Sequence, residues 1–434
     1  MDNTTIGVLM LVLLVVCIFL KVWIGVAMGV VGFAGIWMIA GFQRAFIVVS
    51  LEPFAQIANY TFTCVPLFVL MGVIISNTGI GGDLYTAASK FIGQIRGGLA
   101  IATVAACGVF AAVCGSSMAT AATMGKVAFP EMRKFKYSIP FSAGAIAAGG
   151  TVGVMIPPSI AFIMYGLITQ ESIGKLFIAG IIPGITQVLF YAGVCFIIGR
   201  AIPDWAPAIP RATAKEKIKS LSKTWTILLL IIIVLGGIYG GLFTSTEAGA
   251  VGATGAILVA LVARKLTPKN LVSSLREAIG TAGMMVIMVV GSFIFMRFLT
   301  ISGLPATMSS YVSSLEVPRL VILLAVVVLY LIMGCFLDVI SAVVLTLPIL
   351  YPIMSALGYD MIWFGVLTVR LIEVGLITPP VGMNVFVTAA TCKVKAEKIF
   401  KGILPFLAAD FAHIALLIAV PDIALILLSG GNVA

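Results

Sequence analysis

The sequence predicts an all-α polytopic membrane protein built from two halves, each with about five transmembrane spans, one of them broken, and a re-entrant helical hairpin. The 434 residues are 61% hydrophobic and 10% charged. Apolar runs of about 17–25 residues, long enough to cross a bilayer, recur along the chain. Pro157-Pro158 recurs as Pro379-Pro380, 222 residues later, and the same offset relates Phe129-Pro130 to Tyr351-Pro352. Broken hydrophobic segments at corresponding places in two halves are typical of secondary transporters and indicate the binding site.

The apolar runs define the elements of each half. The first half (1–200) has predicted spans over 4–20, 22–41, 60–77 and 180–200, a hairpin over 98–132 and a broken span over 140–169. A polar connector (201–223) leads to the second half (224–434), with spans over 224–242, 247–263, 280–300 and 403–428, a hairpin over 319–354 and a broken span over 361–392.

The two hairpins are predicted from their length and their polar centres. Each segment holds about 35 residues, too many for one crossing and few for two full ones. Their centres are Cys114-Gly115-Ser116-Ser117 and the stretch from Gly334 to Ser341. Backbone that re-enters a membrane is tolerated where it lines a buried cavity. Simple spans remain the alternative.

The number of crossings determines the relative orientation of the halves. Five crossings plus a hairpin make the second half start from the opposite side, which gives an inverted repeat. With both termini outside, only Arg44, Lys175 and Arg319 lie in outer segments, and Lys126, Arg297 and Arg370 lie within the membrane; the other 20 of the 26 Lys and Arg residues lie in cytoplasmic segments. This positive-inside bias supports the orientation and explains the net charge of +10 without nucleic acid.

Two linkers that precede the hairpins have apolar residues at helical spacing. Both are interpreted as amphipathic helices at the membrane interface, with a surface loop as the alternative. The apolar positions are Leu84, Ala87, Ala88, Phe91 and Ile95 in the first linker, and Leu304, Met308, Tyr311 and Leu315 in the second.

The hairpin tips and the Pro-Pro breaks predict two sodium sites. A helix broken at membrane depth exposes carbonyl groups, which suit Na⁺, and N–H groups, which suit a carboxylate. Site 1 is predicted at Gly115, Ser116, Ser117, Thr151, Gly153 and Pro157, and site 2 at Asp338, Ser341, Glu373, Gly375, Thr378 and Gly382. Predicted substrate-binding residues are Ser116, Ser159, Thr378, Asn384 and Arg297. The alternative for the Ser and Thr residues is helix–helix contact.

Charges inside the bilayer are hypotheses for function. Arg370 and Glu373 share a helix face, so they either neutralise each other or act in gating or binding. Lys126 either offers a cation to an acidic substrate or extends to the interface. Glu247 is interpreted as part of a helix N-terminus, and His413 as a packing residue, with a proton relay as the alternative. No phosphate-binding loop or catalytic motif indicates an enzyme.

These motifs resemble those of the large membrane subunit of the tripartite ATP-independent periplasmic (TRAP) transporters. The resemblance rests on Gly115-Ser-Ser, Phe129-Pro-Glu-Met, 153–159, Thr246-Glu-Ala248 and 373–382, and it spans essentially the whole chain. Cys114 stands where the family usually has Ser.

The resemblance implies a fold and a mode of action. It implies the ion-transporter superfamily, in which the hairpins and broken helices form a mobile elevator domain and the other spans a scaffold. It also implies sodium-driven uptake of an organic acid, such as a sialic acid or a C4-dicarboxylate, across the bacterial inner membrane, with no other cofactor. The implied partners are a small four-helix membrane subunit and a periplasmic binding protein. The alternatives are a stand-alone sodium–dicarboxylate symporter of the same superfamily and, from another class, an ion channel.

Overall fold

A computed structural model describes residues 2–314 and 317–429, apart from the side chains of Ser313 and Ser429. The described residues form 21 α-helices. Those of the first half and the connector are α1 (Asn3–Phe19), α2 (Ile24–Ala40), α3 (Phe42–Ile57), α4 (Cys64–Asn77), α5 (Gly81–Ile92), α6 (Gly98–Cys114), α7 (Ser117–Lys134), α8 (Ile139–Met155), α9 (Ile160–Thr169), α10 (Ile173–Ala201) and α11 (Ala214–Leu221).

The second half continues with ten helices in the described part of the chain. They are α12 (Trp225–Tyr239), α13 (Ser245–Val262), α14 (Pro268–Ser302), α15 (Leu304–Ser314), α16 (Arg319–Phe336), α17 (Val339–Ala356), α18 (Met361–Gly375), α19 (Met383–Cys392), α20 (Ala396–Ala419) and α21 (Asp422–Ser429). Among the described residues, eight helices are long and apolar enough to cross a membrane, or up to nine spans if the bent pair α8 and α9 counts as one. The prediction of an all-helical polytopic membrane protein is therefore confirmed.

Each predicted hairpin is a pair of helices joined by a two-residue turn. Gly115 ends α6 with a φ of +61°, a conformation that favours glycine, and Ser116 caps α7 by accepting from the N–H of Ala119 at 3.4 Å. Asp338 caps α17 and accepts from the N–H groups of Ile340 and Ser341 at 3.2 and 3.3 Å. Small and capping residues thus turn the chain between two apolar helices.

Both predicted breaks are found at the Pro-Pro pairs. The first pair separates α8 from α9, which are bent by 40°. The second pair lies in the seven-residue break between α18 and α19. Proline has no N–H to continue the helical ladder and restricts the residue before it, so two in succession stop a helix.

Two elements differ from the sequence prediction. Helix α3 occupies residues predicted as an outer loop, because Arg44 and Glu52 gave this segment a polar character; it packs against α2 and α14. The last predicted span, 403–428, is wrong at its end. The helix stops at Ala419, because Pro421 excludes Val420 from the helical region (φ −131°, ψ 77°), and α21 follows.

The linkers before the hairpins are helical, as their periodicity predicted. Helix α5 includes all the predicted apolar positions of the first linker except Ile95, and α15 includes those of the second except Leu315, which lies outside the described residues. Their location at a membrane interface stays a prediction.

Two pairs of helices, α2 with α14 and α8 with α20, are in close backbone contact at glycine residues. A Cβ atom on Gly25 of α2 would lie 2.6 Å from the carbonyl oxygen of Ile287 in α14. A Cβ atom on Gly144 of α8 would lie 2.5 Å from the carbonyl of Gly402 in α20. Glycine lets the backbones of membrane helices approach closely. Helix α8 also packs against α6 and α7, and α4 and α14 pack against each other.

Candidate functional site

A cavity of about 370 Å³ lies where the two hairpin tips meet. The first tip contributes residues 114–119 and the second contributes residues 338–340. Helices α4 and α14 form the opposite wall, with Gly72, Ser76, Glu277 and three methionines among its residues. The described structure therefore joins both sequence-predicted tips in a single cavity.

Three helices begin at this cavity. The first two residues of α7, α9 and α17 all line it; they are Ser117 and Met118, Ile160 and Ala161, and Val339 and Ile340. The first N–H groups of a helix have no partner within the helix, and the helix dipole adds positive potential there. The capping side chains of Ser116, Ser159 and Asp338 accept from some of these N–H groups. The N–H groups that remain at the three helix starts form an environment suited to an anion.

The side chains of the cavity have the opposite electrostatic character. Asp338 and Glu277 both line it, and no Lys, Arg or His is among the described lining residues. The carboxylate of Glu277 accepts from the side-chain amide of Asn77 at 3.0 Å, and that of Asp338 pairs with the Ser341 hydroxyl. An anion bound here would face two carboxylates without a basic side chain to balance them.

The first hairpin tip rests on the first break. A Cβ atom on Gly115 would lie 2.9 Å from the carbonyl oxygen of Pro158, and one on Gly153 would lie 3.2 Å from that of Ser116. Pro157 and the buried Ser159, which caps α9 through the N–H of Phe162, lie in the same break. Six of the residues predicted for site 1 and for substrate are thus together at this tip; they are Gly115, Ser116, Ser117, Gly153, Pro157 and Ser159.

The second tip and the second break are joined in the same way. A Cβ atom on Gly375 would lie 2.5 Å from the Cα atom of Gly334, and the N–H of Gly382 donates to the carbonyl of Cys335 at 3.3 Å. The Thr378 hydroxyl donates to the carbonyl of Val374 at 2.7 Å. The structure brings Asp338, Ser341, Gly375, Thr378 and Gly382 to one hairpin and its break.

Two predicted site residues lie elsewhere. The Thr151 hydroxyl donates to the carbonyl of Ala148 at 2.7 Å and contacts the Tyr191 hydroxyl at 3.1 Å, so it faces α10. The Nε of Arg297 bonds Glu52 of α3 at 2.8 Å and the arginine side chain is 66% exposed. Neither residue is among the described lining residues of the cavity. Their partners Tyr191 and Glu52 are remote in sequence, so helical spacing could not reveal these contacts.

Charged and amide groups are buried behind the tips. Arg370 pairs with Asp410 of α20 instead of Glu373, which corrects the local pairing considered from the sequence. Both carboxylate oxygens of Glu373 and both amide atoms of Asn384 have no hydrogen-bond partner among the described residues. Asp338 lines the cavity and Glu373 is not among its described lining residues, although the sequence placed both in site 2.

A hydrogen-bonded network links the two broken spans. Tyr191 donates to Asp410 at 2.7 Å, and the side-chain amide of Gln187 donates to Thr151 at 3.1 Å. Sequence reasoning missed Tyr191 and Gln187; the isolated polar Gln187 within an apolar helix was the available signal. His413 is a packing residue, since both ring nitrogens contact neighbours, Arg370 and Thr186.

The structure also shows the surroundings of two other charged residues considered in the sequence analysis, Glu247 and Lys126. Glu247 caps the start of α13 by accepting from the N–H and the hydroxyl of Thr244, both at 2.8 Å, as its position indicated. Lys126 is exposed on α7, and the described lining of the cavity does not include it.

A polytopic helical fold with a cavity between hairpin tips and broken helices is typical of membrane transport proteins. Residues 11–423 match the family model described as "Tripartite ATP-independent periplasmic transporter, DctM component". The chain belongs to this family, as the resemblance of its motifs predicted. Membership also confirms that it is a transport component and not an enzyme.

Similar proteins agree with this assignment. The chain is 37% identical over 379 residues to a C4-dicarboxylate TRAP transporter large permease of Pseudomonas aeruginosa, covering 87% of this chain and 88% of the relative. It is 32% identical to a sialic acid TRAP transporter large permease of Vibrio cholerae (86% and 87% covered). It is 34% identical to an isethionate TRAP transporter permease of Oleidesulfovibrio alaskensis (94% and 64% covered).

The fold also resembles a solved structure. A crystal structure of the YdaH transporter of Alcanivorax borkumensis superposes with a TM-score of 0.64 at 14% sequence identity. The similarity covers 92% of this chain and 91% of that chain. At this identity the comparison supports the transporter fold alone.

Proposed function

We propose that this chain is the transport subunit of a TRAP system and imports an organic acid with sodium as the coupling ion. The relatives are named for C4-dicarboxylate, sialic acid and isethionate, which share an anionic acid group. The observation that carries the proposal is the cavity in which α7, α9 and α17 all begin. Backbone N–H groups of helix N-termini bind carboxylates without a basic side chain.

The acidic side chains of the cavity support sodium coupling. An organic acid that enters beside Asp338 and Glu277 increases the negative charge of a partly dehydrated space. Like charges close together in a protein of low dielectric repel strongly. Sodium bound with the substrate removes this repulsion, so substrate and ion favour each other's binding, as coupled transport requires.

The residues at the tips offer oxygen ligands for sodium. The described residues contain no group of three or more His, Cys, Asp or Glu residues that could hold a metal ion. Carbonyl and hydroxyl oxygens remain, and these suit a hard monovalent cation. We assign one ion to Gly115, Ser116, Ser117, Gly153 and Pro157, and one to Asp338, Ser341, Gly375, Thr378 and Gly382. Ser116, Ser159, Thr378 and Asn384 remain our candidates for substrate contact.

We further propose an inverted repeat of 1–200 and 224–434, joined by the connector 201–223, and an elevator motion. Each hairpin packs on the break of its own half, so hairpins and broken spans can move as one body against α4 and α14. The cavity lies against residues 69–76 of α4 and 277–288 of α14. With both termini periplasmic, these segments lie on the cytoplasmic side, so the cavity belongs to an inward-facing conformation.

The proposed system resides in the bacterial inner membrane and needs two partners. A periplasmic binding protein delivers the substrate, and a small four-helix subunit completes the membrane part. Family membership supports both partners, since the matched family is tripartite. The membrane-spanning helices of the proposed system also contact the lipid bilayer, and nucleic acid has no role.

The test is uptake of labelled organic acids into proteoliposomes that contain this chain and its small subunit. An inward sodium gradient is imposed, with and without the binding protein outside. Uptake that needs both sodium and the binding protein supports the proposal. Uptake that needs sodium but not the binding protein indicates a stand-alone symporter. Ion flux that needs no substrate gradient indicates a channel. Either result contradicts the proposal.

A further inference from the structure

Three fully enclosed side chains at the centre of the protein carry formal charge. Arg370, Glu373 and Asp410 each have 0% exposure. Arg370 pairs with Asp410, whose carboxylate also accepts from the Tyr191 hydroxyl. The charges of Arg370 and Asp410 cancel. A negative charge on Glu373 is therefore not balanced by either of these two residues.

His413 does not supply the missing positive charge. The Nε–H of Arg370 donates to Nδ1 of His413 at 3.0 Å, so Nδ1 carries no proton. The other ring nitrogen, Nε2, lies 2.9 Å from the hydroxyl of Thr186, which itself donates to the carbonyl of Ile182 at 2.9 Å. This network assigns the single proton of a neutral imidazole to Nε2. If all three groups are ionised, their charges sum to one negative charge.

The carboxylate of Glu373 also lacks hydrogen bonds. Neither oxygen has a hydrogen-bond partner of good geometry among the described residues, although the Ser117 hydroxyl is near enough to donate a weak hydrogen bond and Arg370 is near enough to attract the carboxylate electrostatically. An isolated ionised carboxylate is very unfavourable in an apolar interior unless it is paired or coordinates a cation. The unsatisfied oxygens thus indicate a missing positive partner, either a metal cation or a proton.

A path for that partner begins in the cavity. Ser117 is the first residue of α7, lines the cavity and lies beside Glu373. Asn384, which has a buried amide with no partner in the described structure, is tied to the end of the same helix as Glu373 through its N–H bond to the carbonyl of Leu376 at 3.1 Å. Oxygen atoms from the Glu373 carboxylate and the Ser117 hydroxyl are ligands that a hard cation prefers.

We infer that Glu373 binds one sodium ion inside the protein, next to Ser117, in addition to the ions at the two hairpin tips. The inference rests on the proposed sodium-coupled function and deepens it, since it adds one ion to each transport cycle. The ion neutralises the group formed by Arg370, Asp410 and Glu373. Because Ser117 belongs to the first tip, occupation of this position also holds that tip against the helix that carries Glu373.

The test compares the number of sodium ions imported per substrate in the complete three-component system. Wild type and E373Q are assayed with ²²Na⁺ and labelled substrate in the same proteoliposomes, and luminal pH is followed with a dye. We expect E373Q to import one sodium ion fewer per substrate. The matched control is E247Q, which changes an exposed capping glutamate by the same substitution and should keep the wild-type ratio.

Three results would overturn the inference. An equal sodium ratio in wild type and E373Q removes the ion from Glu373. Loss of luminal acidification in E373Q at an unchanged sodium ratio assigns a proton to Glu373 instead. Wild-type uptake that needs no sodium contradicts the proposed sodium-coupled function itself. Failure of that function is thus distinguishable from failure of the inference about Glu373.

A second variant keeps the test valid if E373Q does not fold. E373D retains the charge but withdraws the carboxylate from Ser117. We expect its half-saturating sodium concentration to rise about tenfold with the ion ratio unchanged. An unchanged half-saturating concentration in E373D would contradict the inference.

Discussion

Tyr191 donates a 2.7 Å hydrogen bond to Asp410, 219 residues away in the sequence. The bond joins a helix of the first half to one of the second, beside the Arg370 ion pair. It is fully buried, so its loss cannot be compensated by bulk water.

Replacing Tyr191 by Phe should lower stability by about 1–3 kcal/mol, because Asp410 and Thr151 each lose a buried partner. The measurement is the apparent melting temperature of the purified protein in detergent. Tyr239 provides the control: its hydroxyl is buried with no hydrogen-bond partner in the described structure, so Y239F should not destabilise. Equal melting temperatures for Y191F and wild type would contradict the role of the bond.

Replacing Asp410 by Asn should destabilise the protein by about 3–5 kcal/mol, since it removes the carboxylate that is in direct contact with the buried guanidinium of Arg370. The expected result is a large loss of folded protein on size-exclusion chromatography. Lys90 and Glu216 form a solvent-exposed pair at 3.5 Å, and K90Q should elute as wild type does. A well-folded D410N would show that the buried pair is dispensable.

Replacing Gly115 by Ala should abolish uptake. The φ of +61° costs a residue with a Cβ about 1–2 kcal/mol, and the new Cβ would lie 2.9 Å from the carbonyl oxygen of Pro158. Gly241 has a φ of +68° with nothing within 4 Å of its Cβ position, so G241A carries the backbone cost alone. If both variants transport equally, the contact between tip and break is not required.

Replacing Asp338 by Asn should raise the sodium concentration for half-maximal uptake about tenfold, a difference of about 1.4 kcal/mol. Asn still caps α17, so the helix start is kept while the charge is removed. Asp360 caps α18 by accepting from the N–H of Trp363 at 2.8 Å and does not line the cavity, and D360N should leave sodium activation unchanged. Sodium activation of D338N equal to that of wild type would remove this residue from the ion site.

The breaks and the tips could be predicted from the sequence because local chemistry determines them. Proline pairs stop helices wherever they occur, and Gly115 and Asp338 are the residue types that turns and caps require. The residues around each break were therefore predicted together with their tip, and the structure places them together.

The buried pairings could not be predicted in the same way. Spacing along one helix favoured Arg370 with Glu373, whereas the fold gives Arg370 a partner 40 residues away. Arg297 was predicted to contact the substrate, yet its partner is Glu52 of α3. The sequence analysis interpreted α3 as an outer loop, so this contact could not be predicted. Such pairings depend on how helices rotate against one another, which hydrophobic periodicity does not determine.

The proposed binding of the substrate by main-chain donors has a consequence for the evolution of specificity. No substitution other than one to proline deletes a backbone N–H, so preference for an acidic group would persist while the rest of the ligand changes. Met284, Met285 and Met288 line the facing wall, and methionine adapts its shape readily. New substrates could then arise by remodelling this flexible wall, with the acid-binding part of the ancestral site left intact.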